Sequence, residues 1–80
     1  MKPQTVPLTT LTIGQEALFQ GSELEGAEQA MLSALGFAEG RPVRLCKKGN
    51  PWIVQVASTR VGLSPSVAER VLVVPEASQP

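Results

Sequence analysis

"LSALGFAEGRPVRL", residues 32–45, converts a helix into a strand within fourteen positions. Gly36 at the left-handed position after a helix predicts a Schellman ending, in which Leu32 and Phe37 contact each other. Gly40 predicts a tight turn over residues 38–39. Pro42 predicts the first residue of a strand, because a missing N–H is tolerated there. This corner therefore predicts a helix that folds back directly onto β-structure.

The residues after the corner alternate between apolar and polar with a period of two, which is typical of half-buried strands. Two reversals divide them, "KKGNP" at 47–51 and "ASTR" at 57–60, so the pattern predicts three strands joined by hairpin turns. The positions predicted to face inward are Val43, Leu45, Trp52, Val54, Val56, Val61 and Leu63.

The segment before the corner predicts a first strand and the start of the helix. "EALFQ", residues 16–20, fits the strand, and residues 1–12 are expected to run extended. Ser22 followed by Glu25 is typical of a capping box. The apolar residues expected to make one helical stripe are Leu24, Ala27, Met31, Ala34 and Leu35, and those of the lead-in expected to point inward are Leu8, Leu11 and Ile13.

The C-terminal residues predict a short helical turn and a last strand. Pro65 after Ser64 suits the first turn of a helix, "RVLVVP" (70–75) suits the strand, and 76–80 is expected to be a flexible tail. The predicted fold is mainly β: a small SH3-like antiparallel barrel of about five strands, with one α-helix between strands 1 and 2 and a short helical turn before the last strand. The whole chain, 1–80, is expected to be one domain with its core at about 8–75.

The charges of this 80-residue chain sum to zero but are unevenly distributed. Residues 1–40 hold one lysine and five glutamates (net −4), whereas residues 41–80 hold six basic residues and two glutamates (net +4). A neutral sum argues against a general affinity for nucleic acid. The two halves allow pairing within the fold or between copies, so a homo-oligomer is an open alternative.

The residue types for catalysis and metal binding are scarce. The chain has no His, Asp or Tyr, so the common general bases and the Ser-His-Asp arrangement are missing, and we expect a protein that is not an enzyme and needs no cofactor. Its single cysteine, Cys46, is a weak metal ligand candidate that would need a second copy, and a half-buried strand residue is the simpler interpretation. With no signal-like or membrane-length apolar run, we expect a cytoplasmic protein that reaches a membrane only through a partner.

The order of these motifs resembles the FeoA family of bacterial ferrous iron transport proteins. The matching features span residues 8–75: the lead-in "LTTLTIGQEALFQ", the helix ending "MLSALGFAEG", then "RPVRL", "NPWIVQV", "TRVGL" and "VAERVLVVP". The resemblance implies the SH3-like fold and an accessory role without catalysis.

The resemblance also implies a partner, the FeoB-type ferrous iron permease, on whose cytoplasmic GTPase part the protein would dock to support or regulate Fe(II) transport. The alternative is a metal-responsive domain that binds iron or zinc, similar to the C-terminal SH3-like domain of DtxR-type repressors. A small barrel acts through a rigid surface patch, and the candidate residues for it are Leu35, Phe37, Arg41, Arg44 and Trp52.

Overall fold

A computed structural model describes residues 4–75 and arranges them as one antiparallel sheet with two short α-helices. This arrangement confirms the predicted mainly β architecture, with one two-residue strand more than the five predicted. The flexible tail predicted at 76–80 lies outside the described residues. In chain order the elements are β1 (Val6–Pro7), a 3₁₀ turn (Leu8–Thr10), β2 (Glu16–Ser22), α1 (Ala27–Ala34), β3 (Pro42–Lys47), β4 (Trp52–Val56), β5 (Thr59–Leu63), α2 (Pro65–Glu69) and β6 (Val71–Pro75).

The strands lie in the order β1-β6-β2-β3-β4-β5, so β1 and β5 are at the two ends of the sheet. The 3₁₀ turn follows β1 directly, and α2 follows β5 after a single residue. These two helical turns contact each other and β6. Together they bury Leu8, Val67 and Ala68 beside β6.

Alternating apolar residues from the strands form one buried core. The strand positions predicted to face inward are confirmed, although Trp52 is only partly buried against the core. The loops and helical turns supply further buried residues. Within residues 4–75, the core consists of Leu8, Leu11, Ala17, Phe19, Leu24, Leu32, Phe37, Val43, Leu45, Val54, Val56, Val61, Leu63, Val67, Ala68, Val71 and Val73.

The capping box predicted at the start of the helix is wrong. Ser22 is the last residue of β2 and pairs with Val71, so it belongs to the sheet rather than to the helix. The helix begins five residues later, at Ala27, and its N-cap is Gly26, which has φ 63° and ψ −130° and makes no side-chain cap. Gly26 therefore supplies a backbone conformation that side-chain-bearing residues rarely adopt.

The buried face of α1 also differs from the predicted stripe. Leu32 is its only buried residue, whereas Met31 is 42% exposed and Ala27 and Ala34 face solvent. The Schellman ending explains the difference, because it requires Leu32 to meet Phe37 inside the core. Neighbouring residues on a helix point about 100° apart, so burying Leu32 turns Met31 outward.

The lead-in to β2 is a pair of turns rather than an extended segment. Leu8 and Leu11 are buried as predicted, but Ile13 is 62% exposed. Gln15 N–H donates to the Thr12 carbonyl at 3.0 Å, which closes a turn around Ile13 and directs its side chain away from the core.

The C-terminal helical turn forms as predicted. The Ser64 hydroxyl accepts a hydrogen bond from Val67 N–H at 3.3 Å, and Pro65 is the first helical residue. Val67 and Ala68 are buried. This local capping orients α2 so that its apolar residues close the core next to the 3₁₀ turn.

Candidate functional site

The corner at residues 32–45 positions the candidate surface. Phe37 N–H donates to the Leu32 carbonyl and Gly36 N–H to the Ser33 carbonyl, both at 3.1 Å, which is the hydrogen-bond pattern of a Schellman ending. Gly36 adopts φ 106°, in the left-handed region that glycine tolerates. The helix end is therefore attached to the sheet through a short segment with little freedom.

The turn that follows fixes the main chain of Arg41. Arg41 N–H donates to the Ala38 carbonyl at 2.9 Å, and the Arg41 carbonyl accepts from Phe19 N–H at 2.9 Å. Gly40 N–H donates to the Phe19 carbonyl at 2.8 Å. Arg41 therefore projects from a backbone that is hydrogen-bonded on both sides.

The five predicted contact residues are not equivalent in the structure. Phe37 is only 4% exposed, and its ring centroid lies 5.4 Å from that of Phe19. This burial corrects the prediction for Phe37: the Schellman ending places its ring in the core, so it supports the surface and is not part of it. Leu35 and Trp52 pack partly buried against the core, and the Lys48 ammonium lies 6.0 Å from the Trp52 ring centroid.

Arg41 and Arg44 are both exposed and line the same cleft, of about 250 Å³. The Arg44 Nη2 atom lies 2.7 Å from Glu16 Oε2, which holds that guanidinium at the edge of the cleft. Leu35, Phe37 and Trp52 do not line it. The residues lining the cleft are Glu16, Arg41, Pro42, Val43, Arg44, Gln55 and Ala57.

Strand register extends the cleft into a line of polar residues across four strands. Glu16 of β2 pairs with Arg44 of β3, Arg44 pairs with Gln55 of β4, and Gln55 pairs with Arg60 of β5. We call these four residues the cross-strand row. Neighbouring strands are about 4.8 Å apart, so the row places its side chains side by side on the outer face. Sequence reasoning missed Glu16, Gln55 and Arg60, because strand register alone brings Glu16 and Gln55 to the cleft and Arg60 into the row beside Gln55.

The two oppositely charged halves of the chain meet at one ion pair within residues 4–75, between Arg44 and Glu16. Both side chains are about half exposed, at 51% and 45%, so the pair contributes roughly 0–1 kcal/mol to stability.

Cys46 is a half-buried strand residue, as the alternation predicts. Its Sγ lies 3.8 Å from the Arg44 carbonyl oxygen. In the part of the chain that the structure describes, no group of three or more His, Cys, Asp or Glu side chains is placed to hold a metal ion.

The family model described as "FeoA domain" matches residues 6–75, nearly the whole chain. The chain belongs to the FeoA family. The match begins at β1 and ends with β6, so it covers the whole described sheet of this FeoA domain. No curated protein matches the chain by sequence.

Solved FeoA structures have the same fold. FeoA from Stenotrophomonas maltophilia, solved in complex with zinc and described as a prokaryotic SH3 domain protein, is 35% identical, with a TM-score of 0.76 over 85% of this chain and 88% of that one. FeoA from Chlorobium tepidum is 22% identical, with a TM-score of 0.86 over 94% and 74%. These similarities confirm the predicted SH3-like fold of this FeoA domain.

Longer chains, a manganese-dependent transcriptional repressor among them, contain a similar fold. IdeR of T. acidophilum has a TM-score of 0.83 at 17% identity, over 95% of this chain but only 37% of that one. At this identity the similarity concerns the fold alone. Within residues 4–75 of the FeoA domain, no helix has the length and apolar character needed to cross a membrane.

Proposed function

We propose that this FeoA domain is a cytoplasmic accessory protein of bacterial ferrous iron uptake, and that it docks on the cytoplasmic GTPase part of a FeoB-type permease. The observation that carries the proposal is the family match over residues 6–75. The S. maltophilia relative, whose structure describes it as a candidate ferrous iron transport activating factor, supports the same role. The protein acts by binding and performs no catalysis of its own.

The structure supplies the kind of surface that such docking needs. Arg41 and Arg44 are exposed beside one cleft, whereas the core beneath them is apolar and closely packed. A rigid surface loses little conformational freedom on association. The partly buried Leu35 and Trp52 are the remaining candidates for apolar contact at its margin.

A direct binding measurement tests the proposal. We expect the purified chain to bind the isolated GTPase part of the permease from the same organism with a Kd of about 1–10 µM, as is usual for a transient contact. Biolayer interferometry measures this, with the SH3-like domain of a metal-dependent repressor as a control for binding due to the fold alone. Absence of binding up to about 100 µM, or equal binding by the control domain, contradicts the proposal.

A metal-responsive domain is the second candidate function, favoured by the zinc complex of the S. maltophilia protein. It predicts that Zn²⁺ binds this chain and that the Cys46→Ser variant, which lacks the only thiol, binds at least about tenfold more weakly. Calorimetry with Zn²⁺ measures both, with Ser33→Ala as a control on the exposed face of α1. Identical isotherms for Cys46→Ser and the wild type would remove the thiol from any metal site.

A further inference from the structure

We propose that the cleft beside Arg41, together with the cross-strand row, receives an acidic segment of the partner protein, with one carboxylate seated against Arg41. This inference rests on the proposed docking function and names the chemistry that the partner brings to it. It follows from the charge, the geometry and the register of this face.

Among residues 4–75, two arginines of this face make no ion pair. Within residues 4–75, neither Arg41 nor Arg60 has a carboxylate within 4.0 Å, whereas Arg44 is paired with Glu16. These three arginines and one glutamate leave the face with a net charge of +2, although the whole chain is neutral. A local excess of one sign on a neutral protein attracts an oppositely charged surface and accelerates its association.

The geometry prepares Arg41 for such a contact. Its main chain is hydrogen-bonded to Ala38 and Phe19, and Pro42 follows it, so the side chain starts from a fixed point at the cleft. A guanidinium presents two parallel donors that match a carboxylate. The cleft volume of about 250 Å³ accommodates one side chain with some water.

The distribution of charge favours an acidic protein segment over a phosphate or nucleic acid. Arg44 is already paired with Glu16, and Arg60 lies two strands away, about 10 Å, so the positive charge is spread along the row. Glu16 lies within the row and repels a dianionic phosphate. Nucleic-acid sites usually neutralise many more phosphates than two free arginines allow. An acidic protein segment carries carboxylates at separate positions, so it matches arginines spread along the row better than a compact phosphate does.

The test is the affinity of five variants for the isolated GTPase part of the permease, measured by biolayer interferometry at two salt concentrations. We expect Arg41→Ala to weaken binding about tenfold and Arg60→Ala about threefold. Glu16→Gln removes the negative charge of the cross-strand row, so we expect about threefold tighter binding. Arg70→Ala is the matched control: Arg70 is exposed and its carbonyl accepts a hydrogen bond from Glu23 N–H, at the far end of β2 and about 20 Å along that strand from Glu16, so its loss is expected to change nothing.

The outcomes separate this inference from the proposed function. If the wild type binds and Arg41→Ala binds as strongly as Arg70→Ala, the inference is overturned, but the proposed docking function is not. Absence of wild-type binding overturns the docking function and the inference with it. Micromolar binding to duplex DNA that Arg41→Ala abolishes would assign the face to nucleic acid and also overturn the inference.

Circular dichroism and thermal melting of each variant check that the fold is retained. Arg41→Lys, which keeps the charge, is expected to weaken binding less than Arg41→Ala.

Discussion

Replacing Phe37 with alanine is expected to lower the free energy of unfolding by about 3 to 5 kcal/mol. The ring is buried at the corner and packs against Phe19 at a centroid distance of 5.4 Å, so its removal leaves a cavity in the core. A domain of this size has a total stability of roughly 4 to 12 kcal/mol. The variant therefore loses a large part of its stability, and a marginal domain would unfold.

Urea unfolding followed by circular dichroism measures this loss, and the fluorescence of Trp52, the only tryptophan, gives a second probe. Met31→Ala is the control. Met31 directly precedes the corner and is also a large apolar residue, but its side chain is 42% exposed. We expect it to cost less than about 1 kcal/mol. If Phe37→Ala costs no more than Met31→Ala, then Phe37 is not the core residue that the structure describes.

Replacing Gly36 with alanine is expected to cost about 1 to 2 kcal/mol, for a different reason. A Cβ at this position would meet only Val56 Cγ2, at 3.9 Å, which is an ordinary contact. The cost arises from the backbone, because φ 106° is strained for any residue with a side chain. The Schellman ending would then open, or the strain would remain in the folded state.

Gly21→Ala is the matched control for this substitution. Gly21 lies in β2, its φ is not in the left-handed region, and a Cβ there would meet nothing within 4 Å. Glycine within a strand is less favourable than alanine by about 0.5 to 1 kcal/mol, so this control is expected to leave stability unchanged or slightly raised. Equal unfolding midpoints in urea for the two variants would show that Gly36 does not need its positive φ.

Both substitutions also bear on the docking surface. The corner that contains Gly36 and Phe37 leads within four residues to Arg41, whose main chain is hydrogen-bonded to the strand that carries Phe19. A looser corner would no longer hold the Arg41 main chain in place, although no charge of the surface would change. The affinities of the Gly36 and Phe37 variants for the partner must therefore be compared at equal folded fractions, because a loss of stability would otherwise look like a loss of binding.

Local signals in the sequence determined much of this molecule. Gly36 and Phe37 specify the helix ending, Ser64 and Pro65 specify the start of α2, and the alternation of Val43 and Leu45 specifies which face of β3 is buried. Each of these features depends on residues that are neighbours along the chain. They can be predicted from sequence because the hydrogen bonds and contacts involved span only a few positions.

The tertiary structure decided the features that join distant residues. Ser22 and Glu25 satisfy the local pattern of a helix cap, but pairing of Ser22 with Val71 in the sheet takes precedence, and the helix starts later. Arg41 and Arg44 were predicted as contact residues from sequence, whereas Glu16 joins them from 28 residues away. Only strand register brings that carboxylate to the arginine, because a shift of one residue would turn every side chain of β2 to the other face.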